Sequence, residues 1–136
     1  MNTYQSKFSK VGGKNYKEVL TNARAIYGKI EKRTKRQPYI RSVYFGSQKI
    51  FFNLFWNHLY QKPPKERYKR LKYFQCAIDL IEKTRDHPTM KQNPNRKEEI
   101  LYRFSGQTCD KEQFAVQIKE NVKNQKKYFM SVFPWK

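Results

Sequence analysis

The stretch EILYRFSGQTCDKEQFAVQIKENVKNQKKYFMSVF, residues 99–133, decides the fold. It contains three short runs rich in β-branched and aromatic residues: Ile100–Ser105, Gln113–Lys119 and Lys127–Phe133. The intervening segments, Gly106–Lys111 and Glu120–Lys126, are polar and turn-forming. Connections this short favour antiparallel neighbours, so the spacing predicts a three-stranded meander.

Strict alternation sorts each strand onto two faces. Ile100, Tyr102 and Phe104 oppose Leu101, Arg103 and Ser105. Phe114, Val116 and Ile118 oppose Ala115, Gln117 and Lys119, and Tyr128, Met130 and Val132 oppose Phe129, Ser131 and Phe133. One face is then an apolar floor for helices. The other carries Arg103, Gln117, Lys119 and Ser131 among aromatic rings. A half-solvated antiparallel sheet has a polar face whether or not that face does anything, so periodicity alone assigns it no chemistry.

At 136 residues the chain has room for one core, and its net charge of +19 marks the class of partner. The positive excess runs through every third of the sequence, so the folded body itself is basic. Such a field attracts polyanions, with RNA as the default partner and DNA as the alternative. Aromatic residues make up 16% of the chain, and rings beside cations are what stack unpaired bases, although any one ring is first of all a core candidate. An acidic protein, such as an antitoxin or inhibitor, is a further kind of partner this charge suits. The two cysteines, Cys76 and Cys109, form no CxxC pair, which argues against a disulfide framework or zinc site and for a reducing cytoplasm. No apolar run is long enough to span a membrane, and the first residues lack the apolar region of a signal peptide. Carboxylates are too scattered for a two-metal site, and no glycine-rich phosphate loop appears, so neither a metal nor a cofactor is expected.

Upstream of the sheet, residues 1–14 are polar and basic and read as a flexible arm, leaving 15–136 as a single α+β domain, with its helical half at about 15–86 and its sheet half at about 99–134. Asn15 caps a helix in which Tyr16, Val19, Leu20, Ala23, Ile26, Tyr27 and Ile30 share a stripe, with Lys17, Arg24, Lys32 and Arg36 on the other side. Gln37-Pro38 ends it. The segment 41–46 reads as a linker, and Ser47 as the cap of a buried helix over 48–61. Pro64 then opens a helix over 65–83 whose inward stripe is Leu71, Phe74, Ile78 and Ile81 and whose first half is crowded by Arg67, Lys69, Arg70 and Lys72. The stretch 84–97, with Pro88 and Pro94, reads as a loop.

A basic helical half followed by Leu-Tyr-Arg-Phe-Ser-Gly, Phe-Ala-Val-Gln-Ile-Lys and Lys-Lys-Tyr-Phe-Met-Ser-Val-Phe-Pro resembles the barnase/EndoU/colicin/RelE superfamily of small ribonucleases, in the form carried by phages and mobile elements. The resemblance covers roughly residues 65–134 and has no counterpart for the first two helices. It implies metal-independent, toxin-like RNA cleavage in which the 2′-hydroxyl attacks the adjacent phosphorus. That reaction needs a base, cations for the phosphorane charge and an acid for the leaving oxygen. His58 and His87 are the only side chains whose ordinary pKa lies near neutrality. His58 is the candidate proton carrier, the alternative being a hydrogen-bonded helix histidine. Arg103 and Lys119 are the candidate charge stabilisers and Arg70 a phosphate contact, while Tyr128 and Ser131 are candidates to orient the phosphate or relay a proton. Alternation puts Tyr128 and Ser131 on opposite faces, so both serve only if a bulge intervenes. Arg67, Arg70, Lys72, Arg24, Lys32, Arg36 and Gln117 are candidate nucleic-acid contacts. The rival reading is a non-catalytic binding module that uses the same charge, with the sheet as scaffold or stacking platform.

Overall fold

The computed structural model describes residues 3–135. Four helices, mostly in the N-terminal half, pack on a curled mixed sheet whose C-terminal strands are antiparallel, so the fold is α+β. Helix α1, Tyr16–Arg33, begins where the Asn15 side chain accepts a hydrogen bond from the Glu18 amide, and the Glu18 carboxylate accepts one from the Lys14 amide. Its stripe of Val19, Ala23, Tyr27 and Ile30 is buried, as the spacing predicts.

The meander is present as β5 (Glu99–Gln107), β6 (Gln113–Asn121) and β7 (Lys126–Pro134). Four further strands extend it. Strand β2, Tyr39–Ser42, takes in the first two residues of the segment 41–46 read as a linker, and the first four residues of the predicted 48–61 helix are β3, Gln48–Phe51. These two form an antiparallel hairpin, and only Asn53–Tyr60 is helical, as α2. Ser47 does not cap a helix. It lies with Gly46 in the left-handed region of the hairpin turn, at φ of 67° and 65°. Within the predicted 84–97 loop, β4 (Thr89–Gln92) adds to the edge of β5.

The single helix expected over 65–83 is two, α3 (Pro64–Leu71) and α4 (Phe74–Lys83), with Pro64 in the first turn as anticipated. The break at Lys72-Tyr73 frees the Lys72 carbonyl, which accepts a hydrogen bond from the Val11 amide at 2.7 Å. That contact belongs to a larger correction: of the arm read over 1–14, residues 1 and 2 lie outside the described residues, and 3–14 are not loose. Strand β1, Tyr4–Gln5, pairs in parallel with Gly106 and Gln107. Asp79, 2% exposed in the middle of α4, accepts from the Tyr4 and Ser6 hydroxyls at 2.9 Å each, and Lys83 lies 3.3 Å from its other oxygen. A buried carboxylate is tolerable only with such partners, so the N-terminal segment is held by the charge it satisfies. The Tyr4 hydroxyl is correspondingly harder to ionise than a free phenol, through burial and then its bond to Asp79.

The strand order is β1-β5-β6-β7-β3-β2, with β4 also on β5. Leu71, Phe74 and Ile81 are buried with Phe114, Val116 and Ile118 in one core, where Tyr73 stacks on Phe114 at 5.6 Å. One irregularity decides the rest. Gln117 pairs with Ser131 and Ile118 with Phe129, so Met130 is the extra residue of a β-bulge. Phe129 therefore faces the core, wholly buried against Phe55 at 4.5 Å, where strict alternation had turned it outward.

Candidate functional site

The same bulge brings Tyr128 and Ser131 to one face. Across the outer side of the sheet, Arg103, Gln117 and Ser131 are directly opposite one another on β5, β6 and β7. Leu101, Lys119 and Tyr128 form the next row. The Ser131 hydroxyl donates to the Gln117 amide oxygen at 3.1 Å. Arg103 is exposed, and its guanidinium lies over the rings of Phe133 at 5.4 Å and Trp135 at 5.6 Å. These contacts steady a long side chain without neutralising it.

Two helical residues come to the same place from the other side. Strand β3 pairs with β7 only through Ile50–Lys127 and Phe51–Tyr128, then turns away into α2, so β7 beyond the bulge has no strand on that side. Into this gap come His58 of α2 and Arg70 of α3, which line a crevice with Met130 and Ser131. Arg70 is 3.2 Å from the Glu66 carboxylate and lies over Phe133 at 5.6 Å, so two guanidiniums share one ring. Burial first, then the positive charges of Lys62 and Arg70, hold the His58 imidazole below its ordinary pKa. A histidine so placed is neutral at pH 7 and able to accept a proton.

The other predicted residues separate into distinct environments. Lys119 is on the outer face, but its ammonium pairs with Glu99 at 2.9 Å, on the side away from Arg103. Burial works against ionisation of Glu99, and the Lys119 and Asn93 hydrogen bonds outweigh it, leaving the carboxyl below its usual range. Arg67 donates to the Tyr60 and Lys62 carbonyls at 2.8 and 2.7 Å and so ties α3 to the end of α2. Arg24 stacks on Trp56 at 4.2 Å and bonds the Tyr60 hydroxyl, joining α1 to α2. Both make scaffold contacts between helices, and Lys72 lies over Tyr68 at 4.0 Å. Lys32 is exposed in the last turn of α1, and Arg36 lines a groove just beyond it. His87 meets Tyr44 at 3.3 Å, where Tyr44 packs on the inward-facing Phe104, across the sheet from Arg103.

That groove was not legible in the sequence. Its cations are Arg33, Lys35, Arg36, Lys49 and Lys126, and its rings are Tyr39 and Phe51. Reading 48–61 as one buried helix hides the strand that carries Lys49 and Phe51. The signal that finds them is the alternation Tyr39-Ile40-Arg41-Ser42 and the Gly46 turn, which together mark a hairpin.

Burial pushes the Cys76 thiol up to about 11, so it is no nucleophile at neutral pH. Among the described residues, no three His, Cys, Asp or Glu side chains converge as a metal site would require, and no helix is long and apolar enough to cross a membrane. Compared with known proteins, the chain matches no protein family, no curated protein and no solved structure.

Proposed function

We propose that this chain is a metal-independent endoribonuclease whose reaction takes place at Ser131. The observation that carries the reading is the convergence beside the bulge: Ser131, Gln117 and Arg103 in one outer row, with His58 and Arg70 reaching Ser131 around the free side of β7. Five polar groups from two helices and three strands are gathered on this side of β7, with Arg70 and Arg103 on the same Phe133 ring. The resemblance of residues 65–134 to the barnase/EndoU/colicin/RelE superfamily supplies the reaction.

In this scheme the neutral His58 takes the proton of a ribose 2′-hydroxyl. The freed oxygen bonds to the adjacent phosphorus as the bond from phosphorus to the 5′-oxygen breaks, and the leaving oxygen takes a proton from water. The products are a 2′,3′-cyclic phosphate and a 5′-hydroxyl, and the imidazolium returns its proton to solvent. Arg103 and Arg70 hold the charge that builds on the non-bridging oxygens, and the Ser131 hydroxyl, turning its one proton away from the Gln117 amide oxygen, donates to one of them. Lys119, engaged with Glu99, has a smaller part than Arg103.

The test is incubation of purified protein with end-labelled RNA in EDTA, followed by identification of the new termini. Ser131→Ala, His58→Ala and Arg103→Ala are each expected to slow cleavage by about 10²-fold or more, the usual scale for a transition-state contact, while retaining most RNA affinity. Cleavage at wild-type rate by all three variants places the chemistry elsewhere. A module that binds RNA without cutting it is the second reading, favoured by one observation: the crevice between His58 and Ser131 is too tight to admit a water molecule. Binding without cleavage of any RNA offered selects it.

A further inference from the structure

The groove at the far edge of the sheet has a composition that neither the reaction nor the scaffold uses. It lies between the end of α1 and the β2–β3 hairpin, is open to solvent with a volume of about 790 Å³, and has no carboxylate among its lining residues. Among the described residues, Arg36, Lys49 and Lys126 make no ion pair with a carboxylate. Such a volume falls in the range of about 300–1,000 Å³ typical of ligand sites. The floor is aromatic. Tyr39, Phe51 and Tyr128 are directly opposite one another on β2, β3 and β7, with ring centroids 6.1 Å apart at each step. All three are half-buried, and Lys49 and Lys126 lie over Tyr39 and Phe51 at 4.7 and 5.9 Å.

We infer that this groove and its row of three rings form the docking platform for single-stranded RNA, leading the strand to Ser131; as a statement about substrate, the inference rests on the ribonuclease reading. Charge complementarity selects a polyanion, and half-exposed rings flanked by cations select one whose base faces are free. A duplex keeps its bases stacked on one another and gives the rings nothing to contact. The row also runs in the required direction. Tyr128 is followed, past the bulge, by Ser131 on the same strand and the same face, and from Tyr39 to Arg103 is four strand spacings, about 19 Å. That is long enough for several nucleotides to lie across the sheet.

The test separates docking from cleavage by using a strand that cannot react. Fluorescence anisotropy of the full chain with a labelled, fully 2′-O-methylated RNA 12-mer measures affinity without turnover, and the same strand annealed to its complement measures duplex binding. The single strand is expected to bind more tightly than the duplex. Tyr39→Ala and Phe51→Leu are each expected to weaken single-strand binding by about 5- to 100-fold, the scale of a lost base stack, with little change for the duplex. Lys49→Ala and Lys126→Ala change surface charges without touching the core, and each is expected to lower the slope of log affinity against log salt by about 0.7. Single-strand affinity unchanged by all four substitutions, or duplex binding that falls in step with it, overturns the platform. Cleavage of unmethylated RNA is read separately. Ring-dependent binding without cleavage refutes the reaction and leaves the platform, whereas cleavage with ring-independent binding refutes the platform alone.

Discussion

Deleting Met130 from the middle of β7 is expected to leave the protein folded and abolish most of the RNA cleavage proposed for it. Ser131 and Phe129 oppose Gln117 and Ile118, which are consecutive on β6, so removing the bulged residue closes the ladder without moving any other side chain to the opposite face. The cost is the half-buried Met130 side chain, about 1–2 kcal/mol as part of the burial of a full side chain. A regained ladder hydrogen bond offsets about 1 kcal/mol of that. The net loss should stay under about 2 kcal/mol, a drop of a few degrees in Tm. Under strict alternation the same deletion forces Phe129 or its neighbours across the sheet. Expelling a phenylalanine that stacks on Phe55 then costs about 3–5 kcal/mol, enough to threaten a marginal domain. Without the bulge's local twist, Ser131 no longer sits against His58 and Arg70, and cleavage should fall by about 10²-fold. Urea titration followed by circular dichroism, with cleavage of labelled RNA in parallel, reads both quantities. A stability loss above about 3 kcal/mol, or cleavage at the wild-type rate, refutes the reasoning.

Gly106→Ala should destabilise by about 1–3 kcal/mol, because the new methyl would stand 2.6 Å from a Phe114 ring carbon and 2.7 Å from Leu80; a wild-type urea midpoint contradicts this. Replacing Tyr4 with Phe and Ser6 with Ala together strips two donors from buried Asp79, and at about 1.5–3 kcal/mol for each hydrogen bond to a charged group the loss should be plain in thermal melts. His58 binds its proton less readily in the folded chain than in the unfolded one, so its contribution to stability is fully present above pH 6.5 and is lost as pH falls through its folded value. His58→Asn should flatten that slope. For the same reason the acidic limb of the wild-type pH–rate profile should lie below 6.5, and a limb centred above it counts against His58 as the base.

The meander and α1 were legible because their side chains repeat at the period of the element that holds them. Phe114, Val116 and Ile118 declare a half-buried strand, and Val19, Ala23, Tyr27 and Ile30 a helix. Beyond these, local pattern and tertiary context part company. Lys49-Ile50-Phe51 runs straight into Asn53–Tyr60, and only the pairing of Phe51 with Tyr39 and Tyr128 shows where strand gives way to helix. The first residues carry no apolar period because their anchor is a carboxylate more than seventy positions away. At the site, the types of residue were readable and their company was not. Ser131, Gln117 and Arg103 fell on one face by counting, but Tyr128 joined them only through a bulge that no residue in Tyr-Phe-Met-Ser announces. Lys119 looked as available as Arg103 until Glu99 was found beside it.

The two parallel joins in the sheet set a timetable for its assembly. Tyr4 and Gln5 pair with Gly106 and Gln107, and Ile50 and Phe51 with Lys127 and Tyr128, so the early segments find their partners only after most of the chain exists. Hairpins close locally and fast, whereas pairings across such separations are slow. The groups gathered at Ser131 depend on the later join, since His58 and Arg70 lie in the chain between its two strands and the serine is on the second of them. A chain still growing from the ribosome, itself made largely of RNA, therefore lacks the proposed centre until β7 has emerged and docked.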